Sequence, residues 1–360
     1  MPPQNGSTKT LSATVAARRT ILLVGVLLLA CSGDARSISR LTAPAAPARS
    51  ITPGPYTPGE SYFGANNYVE YIAGNAPVIF TAPHGGTLLP ATIPDRIAAN
   101  CGGAATTVTD SKTEELVRAM QQRFFARFGK YPHVVIVHLA RRKLDANRDP
   151  LEAACGNADA ETAYSEFHEF IDSAKSAVLA ASGKGWYMDM HGHGHAIQRL
   201  EIGWLLSASQ LGLPDATLDA DVAYRDLASF RTIAEADSLP FSELLRGGSS
   251  LGTLYADNAF PSVPSAYDPE PAGAPYFSGG FNTRRHSCGA EASPLGGVTG
   301  GNICGVQIET NFTGVRDDAV SRDRFGDVTA LVLEQYLQRR WGLVLGALPV
   351  DVTANMEIAR

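Results

Sequence analysis

Four of the eight histidines in this 360-residue chain sit where side-chain type and spacing suggest chemistry. His191, His193 and His195 alternate directly after the apolar run Gly185 to Met190, and His84 follows a second such run in Ala82-Pro83-His84-Gly85-Gly86. Neutral imidazole is the commonest metal ligand among side chains. If the chain stays extended past Met190, the three alternating histidines point the same way, because strand side chains alternate with period two. Gly192 and Gly194 would instead let it turn. Asp110 and Glu114 open the next helical pattern, and either would add a carboxylate oxygen to the nitrogens of His84 and His191. Two nitrogens, one oxygen and an open position are what a catalytic zinc requires. The plainer readings are a solvated polar loop for the triplet, a helix cap for Asp110 and a first-turn acid for Glu114.

Three more groups could complete a hydrolytic site. Asp145-Ala146-Asn147-Arg148-Asp149-Pro150 gathers a guanidinium, an amide and two acids, and Arg is suited to bidentate recognition of a carboxylate. Gly279 to His286 forms a second cationic loop with Arg284 and Arg285. Asp145, Arg284 and Arg285 are therefore substrate-binding candidates, with surface salt bridges as the bland alternative. Glu309 closes the strongly apolar segment Gly305 to Glu309, where it could act as general base on a water; its plainer role is an ion pair with an arginine.

These residues need strands and helices to position them. Short β-type runs occur at 77–82, 133–139, 185–190 and 305–309, and helical three-and-four spacing at 113–127, 160–181 and about 322–340. Strands alternating with helices predict an α/β protein with a largely parallel sheet. Ligands in such sheets sit outside the carboxyl ends of the strands. His84, the Asp145–Arg148 stretch, His191 and Glu309 all follow or close an apolar strand.

The remainder of the chain bears on location. Arg18-Arg19 precedes the apolar run Ile21 to Ala30, too short for the roughly 20 residues a bilayer core demands, and so reads as a signal peptide over 1–30. Its Leu29-Ala30-Cys31 ending resembles a bacterial lipobox, which implies cleavage before Cys31 and lipid on its thiol. Ser32, rather than Asp, is compatible with outer-membrane sorting. The expected location is therefore the bacterial cell envelope, on its periplasmic or surface side. Removing 1–30 takes away Lys9, Arg18 and Arg19 and no acids, moving the formal charge from -6 to -9. No basic stripe with interleaved aromatics appears, so nucleic acid is not an expected partner. Residues 31–60 are rich in Pro, Ala, Ser and Thr and read as a tether. A folded domain is expected over 61–345, with an insert at about 198–275 and a tail at 346–360. Cys101, Cys155, Cys288 and Cys304 form an even set in a chain bound for an oxidising compartment. Of three possible connectivities, Cys288 with Cys304 and Cys101 with Cys155 is preferred, because the former pair closes a glycine-rich loop.

Six segments, taken together, resemble the N-formylglutamate amidohydrolase family. They are Ala-Pro-His-Gly-Gly at 82–86, Thr-Asp-Ser-Lys-Thr-Glu-Glu-Leu at 109–116 and Leu-Asp-Ala-Asn-Arg-Asp-Pro at 144–150. Asp-Met-His-Gly at 189–192, Gly-Gly-Phe-Asn-Thr-Arg at 279–284 and Val-Gln-Ile-Glu at 306–309 follow in the family's order. The resemblance implies a zinc-carboxypeptidase-like, three-layer α/β/α sandwich with a mixed, largely parallel sheet. It implies one zinc ion on His84, His191 and an acid of the 110–114 segment. Asn147, Arg148 and Arg284 would hold a substrate carboxylate or polarise the scissile carbonyl, and Glu309 would activate water. The expected activity is hydrolysis of an amide in an N-acyl amino acid or peptide-like substrate bearing a carboxylate. The alternative is a lipid-anchored binding protein that captures an acidic ligand without turnover. Family members of histidine degradation work in the cytoplasm. An exported member would instead meet a cell-wall peptide, a γ-glutamyl polymer or an acylated amino acid.

Overall fold

The computed structural model describes residue 51 and residues 54–289 and 301–346. The leader, Cys31, most of the tether, much of the glycine-rich loop before Cys304 and the tail after 346 lie outside the described residues. Eight strands form one sheet: β1 (Ser61–Phe63), β2 (Val69–Ile72), β3 (Val78–Ala82), β4 (His133–Val137), β5 (Gly185–Gly192), β6 (Leu200–Gly203), β7 (Ser262–Val263) and β8 (Ile303–Thr310). Their order is β1-β2-β4-β3-β5-β8-β6-β7. The central run β4-β3-β5-β8 is parallel. Antiparallel pairing adds β2 and β1 on one side and β6 on the other, with β7 parallel to β6.

Period-two alternation divides the apolar residues of these strands between two cores. Phe80, Ile136, Met188, Met190, Val306 and Ile308 face one way, onto Leu116, Met120 and Phe124 of the helix Thr113–Phe128 and Phe325, Leu333 and Leu337 of the helix Ala319–Trp341. Ile79, Val135, Val137, Tyr187 and Ile303 face the other way, onto Phe167, Phe170, Ile171 and Val178 of the helix Ala158–Ser182. A sheet buried on both faces is what near-continuous apolar strands require. The result is the three-layer, mixed α/β/α sandwich expected. Each fully buried phenylalanine, such as Phe80 or Phe124, contributes roughly 2–3 kcal/mol by leaving water. The long helices begin on side-chain caps, Asn157 accepting from the Ala160 amide and Asp318 from the Ser321 amide.

One plainer reading falls away. Asp110 does not cap the helix it precedes. Lys112 occupies the N-cap at φ 69° without a side-chain cap bond, and the turn it makes leaves the Asp110 carboxylate free to point elsewhere. The segment 198–275 is built into the sheet and one core. β6 and β7 extend the central sheet, and Leu211, Leu218, Leu244 and Leu251 enter the first core. The four flanking strands escape the sequence pattern because they are short, and Glu70 and Glu201 interrupt the apolar runs of β2 and β6. All described residues belong to one compact unit. Among them, no helix is long and apolar enough to cross a membrane.

Candidate functional site

The site grows from one face of the sheet. Pairing sets Thr81 beside Asp189 and Asp189 beside Gln307, and one step nearer the strand ends His191 beside Glu309 and Glu309 beside Glu201. Directly paired residues share a face. Two adjacent rows of polar side chains therefore cross β3, β5, β8 and β6 where the strands leave the core, while Met188, Met190, Val306 and Ile308 keep the opposite face apolar.

His84 reaches this face from the turn after β3. A Cβ on Gly85 would lie 2.5 Å from the Glu114 amide nitrogen, and one on Gly86 would lie 2.2 Å from the His138 carbonyl carbon. Glycine here lets the turn press between a helix start and the end of β4. The loop bearing Asp110 docks against it, the Asp110 amide donating to the His84 carbonyl at 3.0 Å.

His84, Asp110 and His191 are all buried. Nδ1 of His84 lies 3.3 Å and Nδ1 of His191 3.1 Å from the same Asp110 Oδ2. The far nitrogens are held by further buried acids: His84 Nε2 is 2.6 Å from Asp145 Oδ1, and His191 Nε2 is 2.8 Å from Asp189 Oδ2. Those acids are anchored in turn, Asp189 Oδ1 accepting from Thr81 Oγ1 at 2.6 Å and Asp145 Oδ2 from Arg141 Nε at 2.9 Å. A carboxylate behind a histidine fixes its tautomer, with the proton on the far nitrogen and the lone pair aimed at the site. Two imidazole lone pairs and a carboxylate oxygen then converge, all within 4.8 Å. Three electron-pair donors at such distances repel unless a proton or a cation lies among them, so the donor set fits a metal ion. Two nitrogens and one oxygen suit zinc.

The titration behaviour of the metal-free site expresses the same demand for positive charge. Burial pushes Asp110 up, but the His84 and His191 imidazoles more than reverse this and hold its carboxyl well below the usual range. Burial pulls His191 down, and Asp189, Asp110 and Glu309 together carry it well above an ordinary histidine. Glu309 moves the other way. Burial, reinforced by Asp110 and Glu201 against the pull of His191, raises it to about 8.

These groups open on a cavity of about 440 Å³, the size of a small-molecule site. Glu309, Asn147, Arg148 and Arg141 line it together with the two histidines and Asp110. Arg148 is steadied by Glu152 at 2.9 Å and by the Asn147 carbonyl at 2.8 Å. Asn147 Oδ1 accepts from the Asn282 amide at 2.8 Å. The disulfide Cys101–Cys155 joins the segments just before and just after two walls of this cavity, and Cys288–Cys304 pairs as preferred.

Other candidates lie elsewhere. Glu114 turns away to Arg118 at 3.0 Å and His138 at 3.3 Å, so Asp110 is the acid at the histidines. Asp145 does not reach the cavity; it backs His84. Arg284 is exposed on the short helix Phe281–His286 and is not among the cavity residues. Arg285 lies 3.6 Å from Asp172, on the face covered by the helix Ala158–Ser182. The loop Tyr276–Gly280 lines the cavity instead. Sequence reasoning missed Arg141 on the wall and the backing role of Asp189. The second was legible as Asp-Met-His, two residues apart on one strand face.

No family model and no curated protein matches the chain. Among solved structures it is similar to a gene product from Agrobacterium tumefaciens, at 14% identity and TM-score 0.40, covering 76% of this chain and 95% of that one. It is also similar to an N-formylglutamate amidohydrolase from Ralstonia eutropha JMP134, at 12% identity and TM-score 0.40, over 74% and 96% of the two chains. An N-acetylmuramyl-L-alanine amidase from Mycobacterium smegmatis follows at 11% identity and TM-score 0.30, over 74% and 100%. The likeness is a distant one at the level of fold. The chain's own topology and site define it as a mixed α/β protein with a candidate metal centre at the strand ends.

Proposed function

We propose that this protein is a zinc-dependent amidohydrolase that cleaves an amide in a small or peptide-like substrate bearing a carboxylate. The observation that carries the reading is the convergence of His84 Nδ1, His191 Nδ1 and Asp110 Oδ2 beside Glu309 on one cavity wall. A bound ion would supply Lewis acidity to the scissile carbonyl and the attacking water. The chain's own residues do the rest. Glu309, at about 8 in the metal-free site, is suited to hold and release a proton near neutral pH. Arg148 and Arg141 offer the guanidinium groups that would bind a carboxylate or a developing oxyanion. Thr81, Asp189, Asp145 and Arg141 keep the two imidazoles in place through the bonds already described. Val108 and Phe277, exposed at 74% and 44% while lining the cavity, would give an apolar rim to an acyl group.

We place the protein in the cell envelope, anchored by lipid on Cys31. That proposal rests on the sequence of the leader, and the two disulfides support an oxidising compartment. The test of the function is the metal content of the purified protein, together with hydrolysis of a panel of N-acyl amino acids before and after chelation. One zinc per chain and turnover that is lost to chelator and restored by zinc is the expected result. A stoichiometric metal with no chelator-sensitive turnover would replace the enzyme with a binding protein.

A further inference from the structure

The second and third histidines of the triplet have no place in the arrangement above, yet both line its cavity. With Glu201 they make a second group whose spacing could hold a cation. The hydrogen bonds argue against one. His193 Nε2 donates to the Arg199 carbonyl at 2.8 Å, and its Nδ1 lone pair is taken by the His195 backbone amide at 3.1 Å. His193 is spent on shaping the loop.

His195 is held differently. Its Nδ1 donates to Glu201 Oε1 at 2.7 Å. Glu201 is itself buried, and its other oxygen accepts from the Phe277 amide at 2.8 Å. The Phe277 ring stacks on the imidazole at 4.9 Å between centroids and 15° between planes, with His193 at 5.0 Å. The ring plane is thereby fixed with Nδ1–H on Glu201, so a second ring proton sits on Nε2, which no hydrogen bond engages among the described residues. Pairing places Glu201 directly across from Glu309. The carboxylate that orients His195 and the candidate base are thus next-door neighbours on adjacent strands.

We propose that His195 is a further catalytic residue, oriented by Glu201, that in its doubly protonated form delivers the Nε2 proton to the departing nitrogen. The inference rests on the amidohydrolase reading. In the first step water adds its oxygen to the carbonyl carbon and gives one proton to Glu309. In the second the C–N bond breaks, its electron pair stays on nitrogen, and that nitrogen takes the Nε2 proton of His195 as the carbonyl re-forms. The proton on Glu309 then passes through cavity water to the neutral imidazole, and the site is restored. Substrate and water have become carboxylic acid and amine. Two groups thus divide a task that would otherwise fall on Glu309 alone: one takes a proton from the nucleophile and the other gives one to the leaving group.

The test compares two probes on zinc-loaded protein: the N-acyl amino acid hydrolysed fastest in the panel, and its thioester counterpart with sulfur replacing the scissile NH. A thiolate leaves without a proton. For His195→Gln, kcat on the amide is expected to fall by about 100-fold or more, while kcat on the thioester stays within about threefold. Glu201→Gln is expected to show the same selectivity with a smaller loss. The thioester rate also reports that the variant is folded and loaded. Equal losses on the two probes would overturn the proposal and leave the amidohydrolase reading standing. If the wild type hydrolyses neither probe, the amidohydrolase reading fails and the proposal with it.

Discussion

Asp110 and Glu114 stand four residues apart and enter two clusters of nearly the same composition, yet of the two only that of Asp110 has the spacing of a candidate metal site. Around Glu114 the protein supplies its own cations. Arg118 pairs with both Glu70 and Glu114, and His138 lies 3.2 Å from Glu70 and 3.3 Å from Glu114, one through each ring nitrogen. Burial works against a charged His138, but Glu114 and Glu70 outweigh it and raise it to about 9. Two carboxylates therefore meet two cations, and the cluster closes on itself. Around Asp110 the imidazoles have given their far nitrogens to Asp145 and Asp189. Their near nitrogens face Asp110 Oδ2, while Arg141 pairs with the other oxygen of Asp110 at 3.4 Å, so the charge between the three donor atoms is left to a proton or a metal ion. What separates a metal site from an ion-pair network is the direction in which each ring nitrogen is already committed, not the list of residue types.

The largest effect should come from breaking this asymmetry at the ligands. His84→Ala is expected to lower zinc affinity by more than the roughly 100-fold that loss of an outer partner produces, and to abolish chelator-sensitive hydrolysis. Glu114→Gln should keep one zinc per chain. Competition with a chelator of known affinity measures both. If Glu114→Gln released the metal and His84→Ala retained it, the two clusters would have been assigned the wrong way round.

Next in size is the carboxylate beside the ligands that is not one of them. Glu309→Gln is expected to retain zinc while kcat falls by about a thousandfold, within the range for a lost general base. The amide preserves size and the hydrogen bond from Gln307 Nε2, which lies 3.0 Å from Glu309 Oε1. An undiminished kcat would remove Glu309 from the chemistry and leave it a structural acid.

Much of this contrast was legible beforehand, and the limit has a physical cause. The apolar runs of β3, β4, β5 and β8 mark strands buried on both faces, and strand ends collect ligands, so His84, His191 and Glu309 could be named. The choice between Asp110 and Glu114 could not. It depends on a left-handed Lys112 that turns one acid inward and lets the other start the helix. Arg284 and Arg285 were misplaced because a glycine-rich cationic loop reads as a binding loop wherever it folds. Here a six-residue helix carries both away, and of the segment 279–286 only Gly279 and Gly280 line the cavity. The partnership of His195 with Glu201 was invisible for a similar reason. It crosses from a loop to β6, a short strand whose apolar pattern that same glutamate interrupts.

The smallest effect belongs to the self-neutralised cluster, and its sign is fixed by linkage. His138 moves from an ordinary 6.5 to about 9 on folding. Its contribution to stability is therefore fully present below about pH 6.5 and is lost as pH rises through 9. Glu70 is the mirror case. Burial would raise it, but His138, Arg118 and Ser61 hold it at about 2, so its contribution is present above about pH 4.5 and is lost as pH falls through 2. With chelator present to remove any metal contribution, wild type should exceed His138→Gln by about 1–2 kcal/mol at pH 6, reduced from the full linkage value because Arg118 and His138 are partly exposed. By pH 10 most of that gap should close. Denaturant midpoints at the two pH values measure it. A gap of the same size at both would mean that His138 acts through packing against Phe63, whose ring stacks on it at 6.5 Å, rather than through its charge. The cluster's charge balance would then rest on Arg118, which pairs with both Glu70 and Glu114.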